Sequence, residues 1–498
     1  MRTGFTFRLR TIQRLTILCI ALSCRQLSAQ YTEIDIDLNI GGVQAGVEVL
    51  TRGPVHEAFA ETVTFDPRPA VVIPRAPGEL IEEVPPDQRP EGAHVAWISG
   101  YWGWDDERRD YLWISGVWRS VPPGRQWVAG YWRPVGGGVQ WVSGYWADAD
   151  IEEIEYLPEP PDMIEEVVVH APSPDYTWFP GVWVWQRTGY VWRPGYWSEL
   201  RTDWVWVPAH YAWCPRGYVF VDGYWDHVIG QRGVLFAPVY FEATAATTRV
   251  SNYSPKVAIN LDLFTDHLFV RPQCHHYYFG DYYAAKYQDV GFYPSFTFQA
   301  RRYGYDPIYA HLRWDHRHES DWERRVESAY VYRRDHESAR PPRTLSAAIE
   351  LRSRGAAPEG RSLVLATSIE GMAKRQTGAV RFKRVDADEQ KSIVARTQAT
   401  RKSREARYDM EAKDARPALE KSVERAEPVR AIRPKSPILA IPSREDGSKA
   451  PPQKQAAPQP DPTVRPKPKK AQVEVPKNDT DAGKSKAKGK SKTKNKDD

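Results

Sequence analysis

Four groups of residues have types and spacings that could do chemistry. His267, Cys274, His275 and His276 offer imidazole and thiol donors to a metal. Adjacent histidines in a strand point to opposite faces, and no spacing here matches a zinc signature, so no metal is expected. His311, His316 and His318 lie beside Asp315 and Glu319 in an Arg-rich run and read as a solvated face. Paired carboxylates occur at Glu82/Glu83, Glu152/Glu153 and Glu165/Glu166. Acid–base work on a glycoside needs a carboxyl that is buried and held. These pairs sit in Pro-rich spacers, so they are expected to be solvated. Rows of Trp could stack on sugar rings, or could form a core, because large aromatics dominate burial energy. Lys recurs at alternate positions from Lys484 to Lys496 and could hold anionic polymers by charge. No serine nucleophile elbow, phosphate loop or HExxH is present. No catalytic residue or cofactor is assigned, and an enzyme is not expected.

The Trp rows control the expected fold. Of 20 Trp, 18 lie between Trp97 and Trp225. They recur in the pattern aromatic-x-x-Gly-aromatic-Trp. The first array holds Trp97/Gly100/Trp102, Trp113/Gly116/Trp118, Trp127/Gly130/Trp132 and Trp141/Gly144/Trp146, at steps of 16, 14 and 14 residues. The second holds Trp178/Gly181/Trp183 and Trp192/Gly195/Trp197, then Trp206 with Ala209 and Tyr211, and Phe220 with Gly223 and Trp225. Phe236 to Phe241 reads as a decayed last copy. Turn signals separate the cores, at Asp105-Asp106-Glu107, Pro122-Pro123-Gly124, Gly136-Gly137-Gly138, Arg187-Thr188-Gly189 and Pro215-Arg216-Gly217.

One strand plus one turn fits a repeat of about 14 residues, which predicts a mostly β chain built as an antiparallel meander. Residues five apart on a regular strand point to opposite faces. A bulge at the central Gly would return both Trp of a core to one face. The alternative is a tight turn at Pro-Gly, with a hairpin inside each unit. The single strand is preferred because Ser-Gly and Ala-Gly are weaker turn formers.

The pattern resembles the bacterial WxxGxW (YxWGxW) repeat family over about residues 94–241. Six copies carry Trp, Gly and Trp, and a seventh has Phe220 for the first Trp. The resemblance implies an exported envelope protein of repeat architecture and supplies no catalytic residues.

Around the repeats the composition shifts. Residues 1–29 carry five Arg and no acid, with a short apolar run from Leu15 to Ser23 and Leu27-Ser28-Ala29 before Gln30. That is the form of a cleaved secretory signal. A lipid anchor at Cys24 is the lesser reading, because Ala21-Leu22-Ser23 lacks Leu three residues before the Cys. Residues 30–92 read as a strand segment followed by a Pro/acidic linker, and 93–146 as the first array. A Pro/acidic spacer (147–176), the second array (177–241) and a Tyr/His/Arg-rich appended region (242–340) follow. Residues 341–415 are mixed and helical, with a charged helix from Asp386 to Lys413. Residues 416–498 form a Lys/Pro-rich tail, expected to be disordered because it cannot bury enough apolar surface. Residues 401–498 carry +11 of a total of +5, which leaves −11 for residues 30–400.

No transmembrane helix is expected in the mature chain. An oxidising compartment offers Cys214 and Cys274 a disulfide, against two separate thiols. The expected role is a structural or scaffold one in the envelope, with proteins there as partners. The alternative is a module that binds polysaccharide or peptidoglycan through exposed aromatics. Nucleic acid is not an expected partner of an exported chain. Burial of Trp102, Trp132, Trp146 and Trp197 favours the scaffold, and a solvent-facing row of them favours binding.

Overall fold

The computed structural model describes residues 44–168, 170–242, 251–300, 304–354, 363–375, 380–413 and 428–439. The signal, Cys24, residues 30–43 and most of the Lys/Pro-rich tail lie outside them, but residues 428–439 of that tail are ordered rather than disordered: Val429–Ile432 pairs antiparallel with Glu153–Tyr156, and Ile438 is buried.

The β-branched and aromatic cores form strands, and the Gly/Pro/Asp stretches between them form turns, as their chemistry dictates. Each repeat contributes two short strands on either side of its Gly. The repeats then pair two by two. Val95–Ile98 and Tyr101–Asp105 run antiparallel to Val117–Ser120 and Asp110–Ile114, setting Trp97 opposite Trp118 and Trp102 opposite Trp113. This is hairpin 1. Hairpin 2 (125–148) sets Trp127 opposite Trp146 and Trp132 opposite Trp141. Hairpin 3 (176–199) sets Trp178 opposite Trp197 and Trp183 opposite Trp192. Hairpin 4 (204–227) sets Trp206 opposite Trp225 and Tyr211 opposite Phe220. The repeat region is therefore mostly strands in antiparallel pairs, as its sequence predicts, arranged as a series of hairpins with separate ladders.

The bulge expected at the central Gly is absent. Between Ile98↔Val117 and Tyr101↔Ile114, Ser99-Gly100 faces Ser115-Gly116 with no ladder pair. Two residues drop out on each strand, so neither strand gains one. The two Trp of a core accordingly do not form one stripe. In hairpin 1, Trp97 and Trp118 pack with Val234, Phe236, Ile369 and Ile393, whereas Trp102 and Trp113 enter the main core.

The decayed copy returns to hairpin 1. Gly233–Leu235 pairs with Val117–Arg119, and Val239 pairs with Trp113 on one side and Val49 on the other. Just before the repeats, His56 to Ala60 form a buried turn at the centre of the molecule. The Ala58 carbonyl accepts from Arg119 Nε (2.8 Å) and Trp146 Nε1 (3.3 Å), and the Phe59 carbonyl accepts from Arg232 Nη1 (2.8 Å). Arg119 and Arg232 meet on the Asp226 carboxylate at 2.6 and 3.0 Å. This ties hairpin 1 to hairpin 4.

The appended region packs against these hairpins. It contributes a sheet of Leu268–Arg271, His276–Phe279 and Tyr293–Pro294, joined by Gly53–Pro54. Helices follow at Pro307–Asp315, Trp322–Asp335 and Ala387–Tyr408. The last is capped by Asp386, whose side chain accepts from the Asp388 and Glu389 amides, and it continues as a π-turn to Lys413.

Asp226→Ala leaves two buried guanidinium groups without their counter-charge. The expected loss is about 3–5 kcal/mol, read as a fall in the urea unfolding midpoint with an unchanged slope.

Candidate functional site

A ladder that stops inside a buried hairpin leaves backbone N–H groups without partners, and such groups must be satisfied. In three of the four hairpins a glutamate does this. Glu83 accepts from Gly100 N (2.7 Å), Gly116 N (2.9 Å) and Trp113 Nε1 (3.3 Å). Glu166 accepts from Gly181 N (3.3 Å), Gly195 N (2.9 Å) and Trp192 Nε1 (3.1 Å). Glu57 accepts from Gly144 N (2.9 Å) and Trp141 Nε1 (2.8 Å). Each hairpin thus forms a cradle of backbone and indole donors around one carboxylate.

The cradle explains the spacing of the repeat. The first Trp of one repeat lies on the Gly of its partner. A Cβ built on Gly116 would sit 2.5 Å from Trp97 and 2.7 Å from the Glu83 carboxylate. On Gly195 it would sit 2.5 Å from Trp178 and 2.7 Å from Glu166. Trp127 over Gly144 and Trp141 over Gly130 repeat this contact. The Gly is needed for close approach of an indole and a carboxylate, and the opposed Trp pairs, with ring centroids 5.1–5.5 Å apart, close over it.

The segments that deliver Glu83 and Glu166 share one register. Residues 75–84 lie on hairpin 1 and residues 158–167 on hairpin 3, each as an extended strap. Four residues before the glutamate, a carbonyl accepts from an indole: Glu79 O from Trp102 (2.9 Å) and Asp162 O from Trp183 (3.0 Å). Eight residues before it, a carbonyl accepts from a tyrosine: Arg75 O from Tyr111 (2.6 Å) and Pro158 O from Tyr190 (2.5 Å). Both straps read Ile-Glu-Glu-Val at the cradle, at 81–84 and 164–167. The solvated reading of Glu83 and Glu166 is therefore corrected. Glu83 is 4 % exposed and Glu166 half-buried, while Glu82 and Glu165 face solvent.

Hairpin 4 lacks the cradle, and its sequence departs at the matching places. Ala209 replaces a Gly, and Phe220 replaces the indole donor. Gly223 N instead bonds to the adjacent Asp222. Glu61 reaches this hairpin elsewhere, at His210 Nε2 (3.0 Å) and the Tyr224 hydroxyl (2.9 Å).

Hairpin 2 is clamped from its other side as well. Arg407, buried on the long helix, donates to the carbonyls of Ala129 (3.0 Å) and Ser143 (2.9 Å) beside Gly130 and Gly144, and to Glu411 (3.0 Å). The Tyr131 and Tyr156 hydroxyls complete Glu411. Cys214 Sγ lies 3.5 Å from Arg407, and burial pushes its thiol up. Cys214 and Cys274 are free thiols in the structure, not a disulfide.

The histidines do not converge. His267 Nδ1 faces the Tyr283 hydroxyl (2.8 Å), while His276 meets Tyr101 (2.8 Å) and the Cys274 carbonyl (2.5 Å). His316 pairs with Glu319 at the surface. Among the described residues, no group of three or more His, Cys, Asp or Glu is placed to hold a metal. Nor is any helix among them long and apolar enough to cross a membrane.

A family model, the WXXGXW repeat in two copies, matches residues 95–119, 174–198 and 201–226. The chain carries this repeat. Each match spans one hairpin, two repeats long, and hairpin 2 has the same geometry between them. Neither the curated proteins nor the solved structures contain a match to the chain.

Gly195→Ala drives a methyl into Trp178 and Glu166 and is expected to cost about 1–3 kcal/mol. Gly136→Ala, which meets nothing within 4 Å, should stay within about 0.5 kcal/mol of wild type. Thermal unfolding of the pair checks this. The pH dependence follows from burial. Glu57 is pushed up to about 8 and Glu83 to about 7. His56 is pushed down to about 3, and His227, His275 and His276 to about 4. The folded glutamates keep protons that the unfolded chain sheds above its ordinary value of 4.5, so stability falls as pH rises towards 8. The folded histidines refuse protons that the unfolded chain binds below 6.5, so stability also falls towards pH 4. A melting-temperature maximum at about pH 6–7 is expected, with the alkaline fall reduced in Glu57→Gln.

Proposed function

We propose that the protein is a non-enzymatic, exported envelope protein whose Trp-rich hairpins act as a scaffold. The observation that carries this reading is where the indoles go. Trp102 and Trp146 are buried, Trp132 and Trp197 are half-buried, and each faces another Trp across its hairpin. No solvent-facing row remains among the described Trp. The Trp act on Gly and on one another, which is packing chemistry. The buried or half-buried glutamates Glu57, Glu83 and Glu166 are engaged by backbone and indole donors of the hairpins. Export rests on the charged and apolar N-terminal segment and on the repeat itself. Other envelope proteins are the expected partners, with anionic polymers held by the Lys-rich tail.

A second reading has one observation in its favour. Trp197 and Tyr176 line an open depression of about 630 Å³ with Ser198, Glu199 and Arg201. An aromatic pair beside polar groups is a surface on which a sugar ring can stack.

Co-sedimentation with purified peptidoglycan and insoluble polysaccharides separates the two. The scaffold reading expects no salt-resistant pelleting once residues 440–498 are removed. Salt-resistant pelleting that Trp197→Ala abolishes would sink it in favour of glycan binding. Pelleting lost with salt or with the tail identifies an electrostatic tether.

A further inference from the structure

Residues 75–84 on hairpin 1 (strap 1) and residues 158–167 on hairpin 3 (strap 3) are different segments, yet they meet their hairpins through the same contacts. Two of the three contacts use strap carbonyls, which any residue supplies. The third calls for an acceptor side chain, because the groups that bond to it are all N–H donors, and a carboxylate is the strongest such acceptor. Such a surface recognises a pattern: an extended chain with a glutamate at the cradle, in the context Ile-Glu-Glu-Val.

The two straps differ in how firmly they are held. Strap 1 is locked by more than its hairpin. Glu82–Glu83 pairs in parallel with Ser251–Tyr253, and Arg401 donates to the Ile81 carbonyl at 3.0 Å. Residues 158–168 have no ladder partner among the described residues. Glu166 is half-buried where Glu83 is enclosed, and Val167 is 90 % exposed.

We propose that hairpin 3 is a receptor site for an extended acidic segment of the Ile-Glu-Glu-Val type supplied by another chain, which takes the place of residues 158–168. Its carboxylate bonds to Gly181 N, Gly195 N and Trp192 Nε1, and its upstream carbonyls accept from Trp183 and Tyr190. The resident strap acts as a competitor at an effective concentration on the order of millimolar, so the site opens to weak ligands when Glu166 leaves. This goes beyond the scaffold reading, because a scaffold can be held by its own straps alone.

The test uses full-length protein, wild type and Glu166→Ala, and a fluorescent synthetic peptide of residues 158–168. A second peptide carries Glu166→Gln. Anisotropy titration should show the native peptide binding Glu166→Ala about tenfold or more tighter than wild type. The Gln peptide should bind the variant about tenfold or more weaker than the native one, the loss of a charge-assisted set of hydrogen bonds. Equal binding of the two peptides, equal binding by the two proteins, or no binding to folded Glu166→Ala overturns the proposal. If circular dichroism shows that Glu166→Ala does not fold, the two peptides are titrated at millimolar concentration onto wild type. Preference for the native peptide then supports the site, and lack of preference overturns it. Glycan pelleting is indifferent to either peptide, so failure here is distinct from failure of the scaffold reading.

Discussion

A carboxylate placed in a gap of the β ladder is the interaction on which the arrangement depends. The Gly pair opens the gap, and the gap strands backbone N–H groups inside an aromatic shell. Each such donor left unmatched costs about 1–3 kcal/mol. A single glutamate carboxyl accepts from one or two of them and from an indole N–H besides, and where it is ionised those bonds are roughly twice as strong as neutral ones. Burial opposes this by raising the carboxyl pKa of Glu57 and Glu83. The balance makes each glutamate a strict partner of its hairpin: the donors need it, and it has few other places to go.

The Trp positions follow from the same gap. With no side chain on the Gly, the partner's indole drops onto the backbone there, and its N–H can turn to the carboxylate. Trp113, Trp141 and Trp192 do this, all in the second repeat of their hairpins. Hairpin 4 has lost the carboxylate, one Gly and that indole together. These three losses belong to one device, since each is without use when the others are absent.

Long-range segments finish what the hairpins leave open. The buried turn from His56 to Ala60 reaches hairpins 1 and 2 and the Arg–Asp cluster beside hairpin 4. The long helix brings Arg407 to the carbonyl side of the gap whose N–H side Glu57 fills. Hairpin 2 is thus held by residues 87 positions before Gly144 and 264 after Ser143. Hairpin 3 takes its cradle glutamate from its preceding strap, and Tyr176, Trp178, Trp185, Tyr196 and Trp197 in it are half-buried.

The repeat spacing, the turn sites and the strand character were all legible in the chain, because they depend on local chemistry: Gly and Pro in turns, aromatics in strands, a fixed period. The charged helix beginning at Asp386 was legible as well, and the structure shows Asp386 capping it. Which repeats pair, and whether the Trp of one core share a face, was decided by the tertiary structure. A symmetric gap and a one-sided bulge leave the same sequence, and only the partner strand tells them apart. The glutamates show the limit most clearly. Glu82 and Glu83 are neighbours of one type in one Pro-rich segment, yet one faces solvent and the other fills a cradle. Ile-Glu-Glu-Val occurs twice and was a readable signal. Its meaning required the hairpin, because a buried carboxylate is defined by the donors around it, and those lie elsewhere in the chain.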